Sequence, residues 1–586
     1  MGRESAFLIE ASWEVCNKVG GIYTVVSSKL GVVLKQFPNH YLAVGPYLSA
    51  NNPVFVESKA PADLEQIAQV LEIKGVILHY GTWKTGAYDA PVILLDWNGL
   101  IPQLNSLKGH FWDQYQLDTL GSNFYDLDQP LLWGIAVGLF CELFAEAHPE
   151  QIILQAHEWL SAGALLQINK NKRFKTVFTT HATVLGRALS SHGVAVYQYP
   201  KDGNPEQDAR NYGVLSKHQV ERLAAGLATH FTTVSRLTAE EATVFLGRTP
   251  DQVTENGIDL DSLPTYDQVA LAHLTSRTAL DDFVSAYFFP SYSFDLQQVQ
   301  YQFTMGRYEV HNKGYDLYLE ALGKLNQELK EQKSERTVVS FLLVPGSPTK
   351  IRSSVTGQLM IYRRIQELLR QFSQAKQRGL YGQLIANPAD DTAFHLEPKE
   401  LEQLHPLITR LVQPTQPFLS PYELVDETND SFLSLAHQYG LQNSEEDRVK
   451  IVLMPVYLDG FDGIFNLSLY TFIAGFDLGV FPSYYEPWGY TPMESLAMGV
   501  PAIASTLSGF GRAIQEGKGS QPPGVFLVDR RQAEEDALGL LLAQLHTSLR
   551  ETPQQWDERR LSAYQTVRRF NWQHLYPAYQ QLYNQP

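Results

Sequence analysis

The stretch 478–511, LGVFPSYYEPWGYTPMESLAMGVPAIASTLSGFG, restricts the fold more than any other part of the chain. The apolar run 478–482 reads as a strand. A polar, aromatic loop follows (Ser483, Tyr484, Tyr485, Glu486, Pro487, Trp488, Gly489), and then a helix start. Thr491 suits the N-cap, Pro492 the first helical position, and Glu494, three residues after the cap, completes a capping box. Gly499, Val500 and Pro501 end the helix, and 502–504 is again strand-like. Strand, loop, helix, strand is a βαβ crossover, whose loop lies at the carboxyl end of a parallel sheet, where α/β proteins hold ligands. The free N–H groups near Tyr490 and Thr491 suit a phosphate.

Two carboxylates, Glu486 and Glu494, frame this loop eight positions apart. The capping box explains Glu494 locally. Glu486 sits among aromatic residues, where a carboxylate needs a partner or a substrate. The chain has 586 residues, room for two or more domains, and its 44% hydrophobic and 19% charged content excludes a disordered protein. A net charge of −17 with no long basic run argues against a nucleic-acid partner, so an anionic substrate must be held by a few local cations. Cys16 and Cys141 are the only cysteines, which removes a disulfide framework and a cysteine zinc motif. The start lacks a signal-peptide pattern, and the longest apolar stretch, 131–144, is interrupted by Glu142 and too short for a bilayer. The expectation is a cytoplasmic protein with no membrane segment.

Along the chain, 6–10 is a strand followed by Lys18, Gly20 and Gly21, and helical periodicity resumes at Val25, Val26, Leu30, Val33 and Leu34. Adjacent glycines allow a phosphate to approach the backbone, although neither G-x-G-x-x-G nor the P-loop pattern is matched. Strands at 41–44, 76–79 and 92–96 and a helix at 131–147 lead to a strand at 152–155 that ends in His157, Glu158 and Trp159. Ser161 defeats an H-E-x-x-H zinc motif. A strand at 177–180 ends at His181, with Arg187 beyond, so neighbouring crossover units deliver two histidines towards one pocket. The first half closes with 231–235 and an Asn256-Gly257 turn. The second opens with a strand at 301–305 that runs into Arg307 and Lys313, then a strand at 338–344. Region 348–447 reads as a helical insertion with amphipathic helices at 359–373 and 401–412, and helices are expected at 533–548 and at 572–583, the latter capped by Asn571. Asp126/Asp128 and Asp259/Asp261 stand away from any strand-to-phosphate loop and are read as incidental, so no metal is expected.

On these residues the chain resembles a known family. E-P-W-G-Y-T-P-M-E resembles the E-x7-E motif of retaining GT-B glycosyltransferases, and SYYEPWGYTPMESLAMGVP is similar to glycogen synthases of the animal and fungal type. K-V-G-G-I-Y at 18–23 resembles their donor-phosphate loop, with Lys18 where arginine is usual. F-T-T-H-A-T-V-L-G-R at 178–187 and G-R-Y-E-V-H-N-K-G at 306–314 resemble their sugar and diphosphate segments, while Glu255 replaces a proline of the interdomain turn. The resemblance implies an α/β GT-B fold: a Rossmann-like acceptor-side domain at 1–260 and a nucleotide-sugar domain at 261–555, facing across a cleft. The insertion lies in the second domain, and 556–586 is expected to pack back on the first. It implies glucose transfer from UDP-glucose to an α-1,4-glucan with retention, no cofactor, and a homo-oligomer. Glu486, Arg307, Lys313 and His181 would be catalytic. Lys18, Gly20, Gly21, Arg187, Tyr490, Thr491 and Glu494 would bind the donor, Glu494 at the ribose. His157, Glu158 and Trp159 would line the acceptor side. An ADP-glucose donor, or a non-catalytic glucan-binding regulator, stays open. Those relatives carry an arginine-rich helix for glucose 6-phosphate and a serine-rich tail. Here only Arg559, Arg560, Arg568 and Arg569 stand in that region, in pairs nine residues apart on nearly opposite helix sides, so no such response and no such tail are expected.

Overall fold

Apolar runs flanked by helices assemble into two separate sheets, one largely and one wholly parallel. The computed structural model describes residues 6–169, 171–200, 202–386, 396–412, 415–517, 523–531 and 533–585. The first half contributes β1 (Phe7–Ala11), β2 (Tyr41–Pro46), β3 (Phe55–Glu57), β4 (Ile77–Lys84), β5 (Asp89–Asp96), β6 (Ile152–His157), β7 (Phe174–Thr180), β8 (His230–Thr233) and β9 (Gln252–Val253). Their order is β3-β4-β5-β2-β1-β6-β7-β8-β9, parallel from β5 to β9, with β3 and β4 antiparallel at one edge. β2, β6, β7 and β8 are buried at every position, as a strand covered by helices on both faces must be.

The second half contributes β10 (Val299–Met305), β11 (Thr337–Leu343), β12 (Pro348–Ile351), β13 (Tyr422–Leu424), β14 (Val449–Met454), β15 (Leu478–Phe481), β16 (Ala502–Ser505) and β17 (Val525–Val528). Six of them form a wholly parallel sheet, β14-β11-β10-β15-β16-β17. The antiparallel pair β12–β13 closes the base of the insertion, which carries the helices Ser353–Ala386, Pro398–Leu411 and Ser431–Gln438. The fold is α/β with two Rossmann-like units.

Each sheet reverses its winding once. From β1 the chain moves to β2 on one side and later to β6 on the other; from β10 it moves to β11 and later to β15. Ligands of doubly wound sheets bind outside the carboxyl ends at such switch points. Here the loops leaving β1 and β6 face the loops leaving β10 and β15.

Phe124–Ala147, the one stretch among the described residues long and apolar enough to cross a bilayer, ends in a core helix that buries Leu132, Trp133, Ala136, Val137 and Phe140 against the first sheet. A 23-residue helix, Tyr266–Phe288, joins the halves. The two last long helices part company. Pro553–Val567 places Ala563 and Val567 in the second sheet's core, beside Met493 and Leu496. Trp572–Asn584 returns to the first sheet, where Trp572, Tyr576 and Tyr579 pack with Leu8, Val26 and Leu30. Asn571 caps it, accepting from Gln573 N–H at 3.0 Å.

Candidate active site

The first wall begins in the loop after β1. The Glu14 carboxylate accepts from the N–H groups of Gly20 and Tyr23, both at 2.8 Å, and so anchors the start of the helix Gly21–Gln36. The N–H groups of Gly21 and Ile22 are left without intrahelical partners. A Cβ on Gly20 would stand 3.0 Å from Glu14 Oε1, while one on Gly21 would meet nothing nearer than Tyr490, 3.9 Å away across the cleft. Burial pushes the Glu14 carboxyl up, against the pull of the two N–H groups.

The loop after β7 is held from behind by three more buried carboxyls. Glu158, at φ 65°, accepts from the N–H groups of His181 at 3.1 Å and Ala182 at 3.0 Å. Glu241 accepts from Thr183 N–H at 3.1 Å, from the Thr183 hydroxyl, and from Tyr485 OH at 2.9 Å. Glu221 accepts from Val184 N–H at 2.8 Å. Burial pushes Glu158 and Glu241 up to about 7, against Arg187 beside Glu158 and the Thr183 and Tyr485 bonds to Glu241. Glu221 is driven well above its ordinary range by burial and by Glu158. The Arg187 side chain faces the open cleft and makes no hydrogen bond or ion pair with the described residues; burial works against its charge, and Glu158, with Tyr485, Glu309 and Glu486, more than restores it.

The facing wall carries one exposed cation and one half-buried ion pair. The Arg307 side chain is 57% exposed and, among the described residues, pairs only with Glu309, at 3.1 Å. Lys313 pairs with Glu486, their side chains 14% and 16% exposed. Gly489, at φ 105°, takes the N-cap place of the helix Tyr490–Ala497, and no side chain caps it. This corrects the expected capping box. A glycine in the left-handed region starts the helix before Thr491, so Thr491 lies inside its first turn and Glu494 is released from capping. Glu494 instead accepts from Tyr470 OH at 3.1 Å. Burial pushes its carboxyl up, with the Tyr470 bond and Lys18 opposing.

A cavity of about 550 Å³ lies between the walls. Gly20, Gly21, Glu158, Trp159, His181 and Arg187 line it from one side, and Arg307, Lys313, Glu486, Tyr490 and Thr491 from the other. Lys18 stands outside it, exposed, with its ammonium 5.8 Å from the Tyr23 ring; Glu494 is also outside. His157 was expected to line the cleft and does not. Its ring is wholly buried behind His181, engaged by Glu10 on one side and His181 on the other. Glu14, Glu221 and Glu241 went unread in the sequence. Among the described residues no group of three or more His, Cys, Asp or Glu is placed to hold a metal. Asp126 and Asp128 pair with Lys217 and Lys108, and Asp259 accepts from Asp261 N–H.

Two Rossmann-like units whose switch-point loops meet over a glycine-lined helix start, a bare second helix start and a few cations form the architecture of a GT-B glycosyltransferase. Comparison with known proteins narrows that class. The family described as glycogen synthase matches residues 10–585. The chain is 32% identical over 532 residues to the liver glycogen [starch] synthase of Rattus norvegicus, covering 90% of this chain and 75% of that protein. It is 32% identical over 583 residues to glycogen [starch] synthase isoform 2 of Saccharomyces cerevisiae, covering 94% and 82%. Among solved structures, the catalytic domain of starch synthase IV from Arabidopsis thaliana, bound to ADP and acarbose, has a TM-score of 0.52 at 15% identity over 99% of each chain, a likeness of fold. The chain belongs to the glycogen synthase family.

Proposed function

We propose that this enzyme transfers glucose from UDP-glucose to the 4-hydroxyl at the non-reducing end of an α-1,4-glucan, with retention at the anomeric carbon. The observation that carries this reading is the convergence on one cavity of Arg307, the Lys313–Glu486 pair and two helix starts with unpartnered N–H groups. Breaking the anomeric C–O bond leaves negative charge on a departing diphosphate and positive character on the sugar. Arg307, Lys313 and the N–H groups at Gly21, Tyr490 and Thr491 are fixed in advance to meet the first. Glu486 lies on the sugar side, where its carboxylate favours the second. Arg187 borders the diphosphate and His181 the sugar; Lys18, exposed at the edge of the cavity, adds its charge to the diphosphate side, and Glu494 holds the ribose. With Glu486 paired to Lys313 and assigned to electrostatic support of the sugar, the glucan hydroxyl attacks from the leaving-group face as the anomeric C–O bond breaks, and passes its proton to a diphosphate oxygen.

In this reading the unit 1–260 takes the glucan, the unit 261–555 takes the nucleotide sugar, and the insertion serves assembly into a homo-oligomer in the cytoplasm. Fixed cations make a divalent metal dispensable, so turnover should survive chelation. The deciding experiment measures initial rates with UDP-glucose and with ADP-glucose, glycogen being the acceptor. Higher kcat/KM with UDP-glucose supports the proposal. Preference for ADP-glucose overturns the donor assignment, and absence of turnover with both leaves a glucan-binding regulator.

A further inference from the structure

Behind His181 runs a line of buried side chains that the reaction as described does not use. Glu10 Oε1 accepts from Lys29 Nζ at 2.5 Å and stands 2.8 Å from His157 Nε2; Glu10 Oε2 accepts from Tyr41 OH at 2.9 Å. His157 Nδ1 is in turn 3.0 Å from His181 Nε2. Glu10, Lys29 and His157 have no solvent exposure at all, and the Lys29 ammonium also lies 4.4 Å over the Tyr579 ring of the last helix. The residues come from β1, the helix after it, β2, and the ends of β6 and β7, so the line crosses the sheet at its switch point and stops at the cavity.

Counting donors and acceptors locates the protons. Burial acts against the Glu10 charge, but Lys29 and His157 hold its carboxyl down at about 2, so it can only accept. His157 Nε2 therefore carries a hydrogen and donates to it. Lys29 already balances Glu10, and burial keeps His157 neutral, which leaves its Nδ1 an acceptor. The hydrogen in the contact between the two histidines then belongs to His181 Nε2. Burial, followed by His157, Lys29 and Arg187, keeps His181 neutral as well, with Glu10 too weak an opposing influence. A bare lone pair remains at Nδ1 of a ring that lines the cavity.

We propose that Glu10, held by Lys29 and Tyr41, is a positioning residue that acts through His157 to fix His181 as its Nε2–H tautomer, so that the cleft meets a hydrogen-bond acceptor at Nδ1. Which imidazole nitrogen carries the proton is set by the bond the other nitrogen makes, and here that choice is passed through two rings. The group that fits is a hydroxyl of the donor sugar, donating to Nδ1. This rests on the reading that places the sugar beside His181.

The test uses paired substitutions in the full chain. E10L/K29M replaces the ion pair with two apolar side chains, a change that buried pairs tolerate. E10Q/K29M keeps a neutral acceptor for His157. E10L/K29M should lower kcat by about tenfold or more with a smaller change in KM for the donor, and E10Q/K29M should recover most of that loss. Measured against a series of deoxyglucose donors, the loss should vanish for the one lacking the hydroxyl bound at Nδ1, because no bond is then at stake. Purely structural damage slows all donors alike and is not rescued by glutamine. Wild-type turnover in E10L/K29M, or equal losses in both doubles, overturns the proposal. Should E10L/K29M not fold, His157→Leu, which leaves the Lys29–Glu10 pair in place, must show the same loss and the same donor dependence. His181→Ala separates the premises. If it keeps wild-type turnover, the reading of the site falls and the tautomer lock with it. If it loses turnover while E10L/K29M and His157→Leu do not, the lock alone falls.

Discussion

On the first-sheet wall of the cleft, Glu14, Glu158, Glu221 and Glu241 are all buried and all occupied in holding backbone N–H groups in place. On the facing wall, Arg307 and Lys313 each have one carboxylate partner and stand at the surface of the cavity. The difference separates two kinds of charge that look alike in a sequence. A buried carboxylate bonded to its own loop sets the shape of the site, whereas a cation at the surface with one exchangeable partner is available to a ligand. The first kind should govern stability and its pH dependence, and the second turnover.

The strongest way to break this division is to remove a cation from the second wall. Arg307→Ala should lower kcat by about 100- to 1000-fold, roughly 3–4 kcal/mol, the usual effect of losing one fixed electrostatic donor to a leaving group. The melting temperature should hardly move, because the side chain is more than half exposed and its one partner, Glu309, can turn to water. Lys313→Ala should be as slow, with some added instability from leaving Glu486 unpaired. Near-normal turnover of either variant at saturating donor would remove the second wall from the chemistry.

The next test addresses the first wall. In the fold, Glu241 is held at about 7 against 4.5 for an ordinary glutamate. Between those values it binds more protons folded than unfolded, so its contribution to stability is full below about pH 4.5 and is lost as pH rises through about 7. The span is on the order of 3 kcal/mol. Glu241→Gln cannot ionise, so its melting temperature should fall less than that of the wild type between pH 5 and pH 8. Identical slopes for the two proteins would mean that Glu241 stays charged throughout.

How much of this was legible beforehand follows the same division. The βαβ unit around 478–511, the loops holding Gly20 and Gly21, and the segments carrying Arg307 and Lys313 are local patterns, and the structure has them where those patterns put them. Glu221 and Glu241 lie inside the helices Leu215–Leu227 and Arg236–Phe245, where a lone acid reads as part of a solvated face. Their partners are distant in sequence: the loop after β7 for both, and Tyr485 for Glu241. Tyr266–Phe288 is hard to read locally because its buried apolar residues are mostly in the last turns (Leu280, Phe283, Val284, Tyr287, Phe288), while Leu271 and Leu274 ahead of them are exposed and blur the apolar face. Thr491, Pro492 and Glu494 were a well-formed but misleading local signal, because the backbone turn at Gly489 starts the helix earlier.

Glu486 refines the comparison, since it is a carboxylate on the wall of available charges. If its charge matters chiefly as the sugar becomes cationic, Glu486→Gln should lower kcat by about tenfold or more while KM for the donor moves by less than about threefold. Proportional changes in both would make it a binding group and place it with the scaffold carboxylates.

The smallest expected effect is none at all, and it extends the comparison to the end of the chain. Arg559 is tied to Glu551 and to the Pro523 carbonyl, and Arg560 donates to the Phe476 carbonyl at 2.7 Å with Asp477 3.4 Å away. Both are already bonded to protein, like the carboxylates of the first wall. Arg568 and Arg569 begin the short helical turn Arg568–Phe570 after the helix ends at Val567, and both are exposed. Two guanidiniums that pair with none of the described residues, with their upstream counterparts bound elsewhere, cannot close around one phosphate as four could, and bidentate bonds from several arginines are what a tight sugar-phosphate site requires. Initial rates with UDP-glucose and glycogen should therefore be the same with and without millimolar glucose 6-phosphate. A several-fold activation that disappears in Arg568→Ala or Arg569→Ala would show that these two arginines suffice, and that free charge at the end of the chain is regulatory as free charge in the cleft is catalytic.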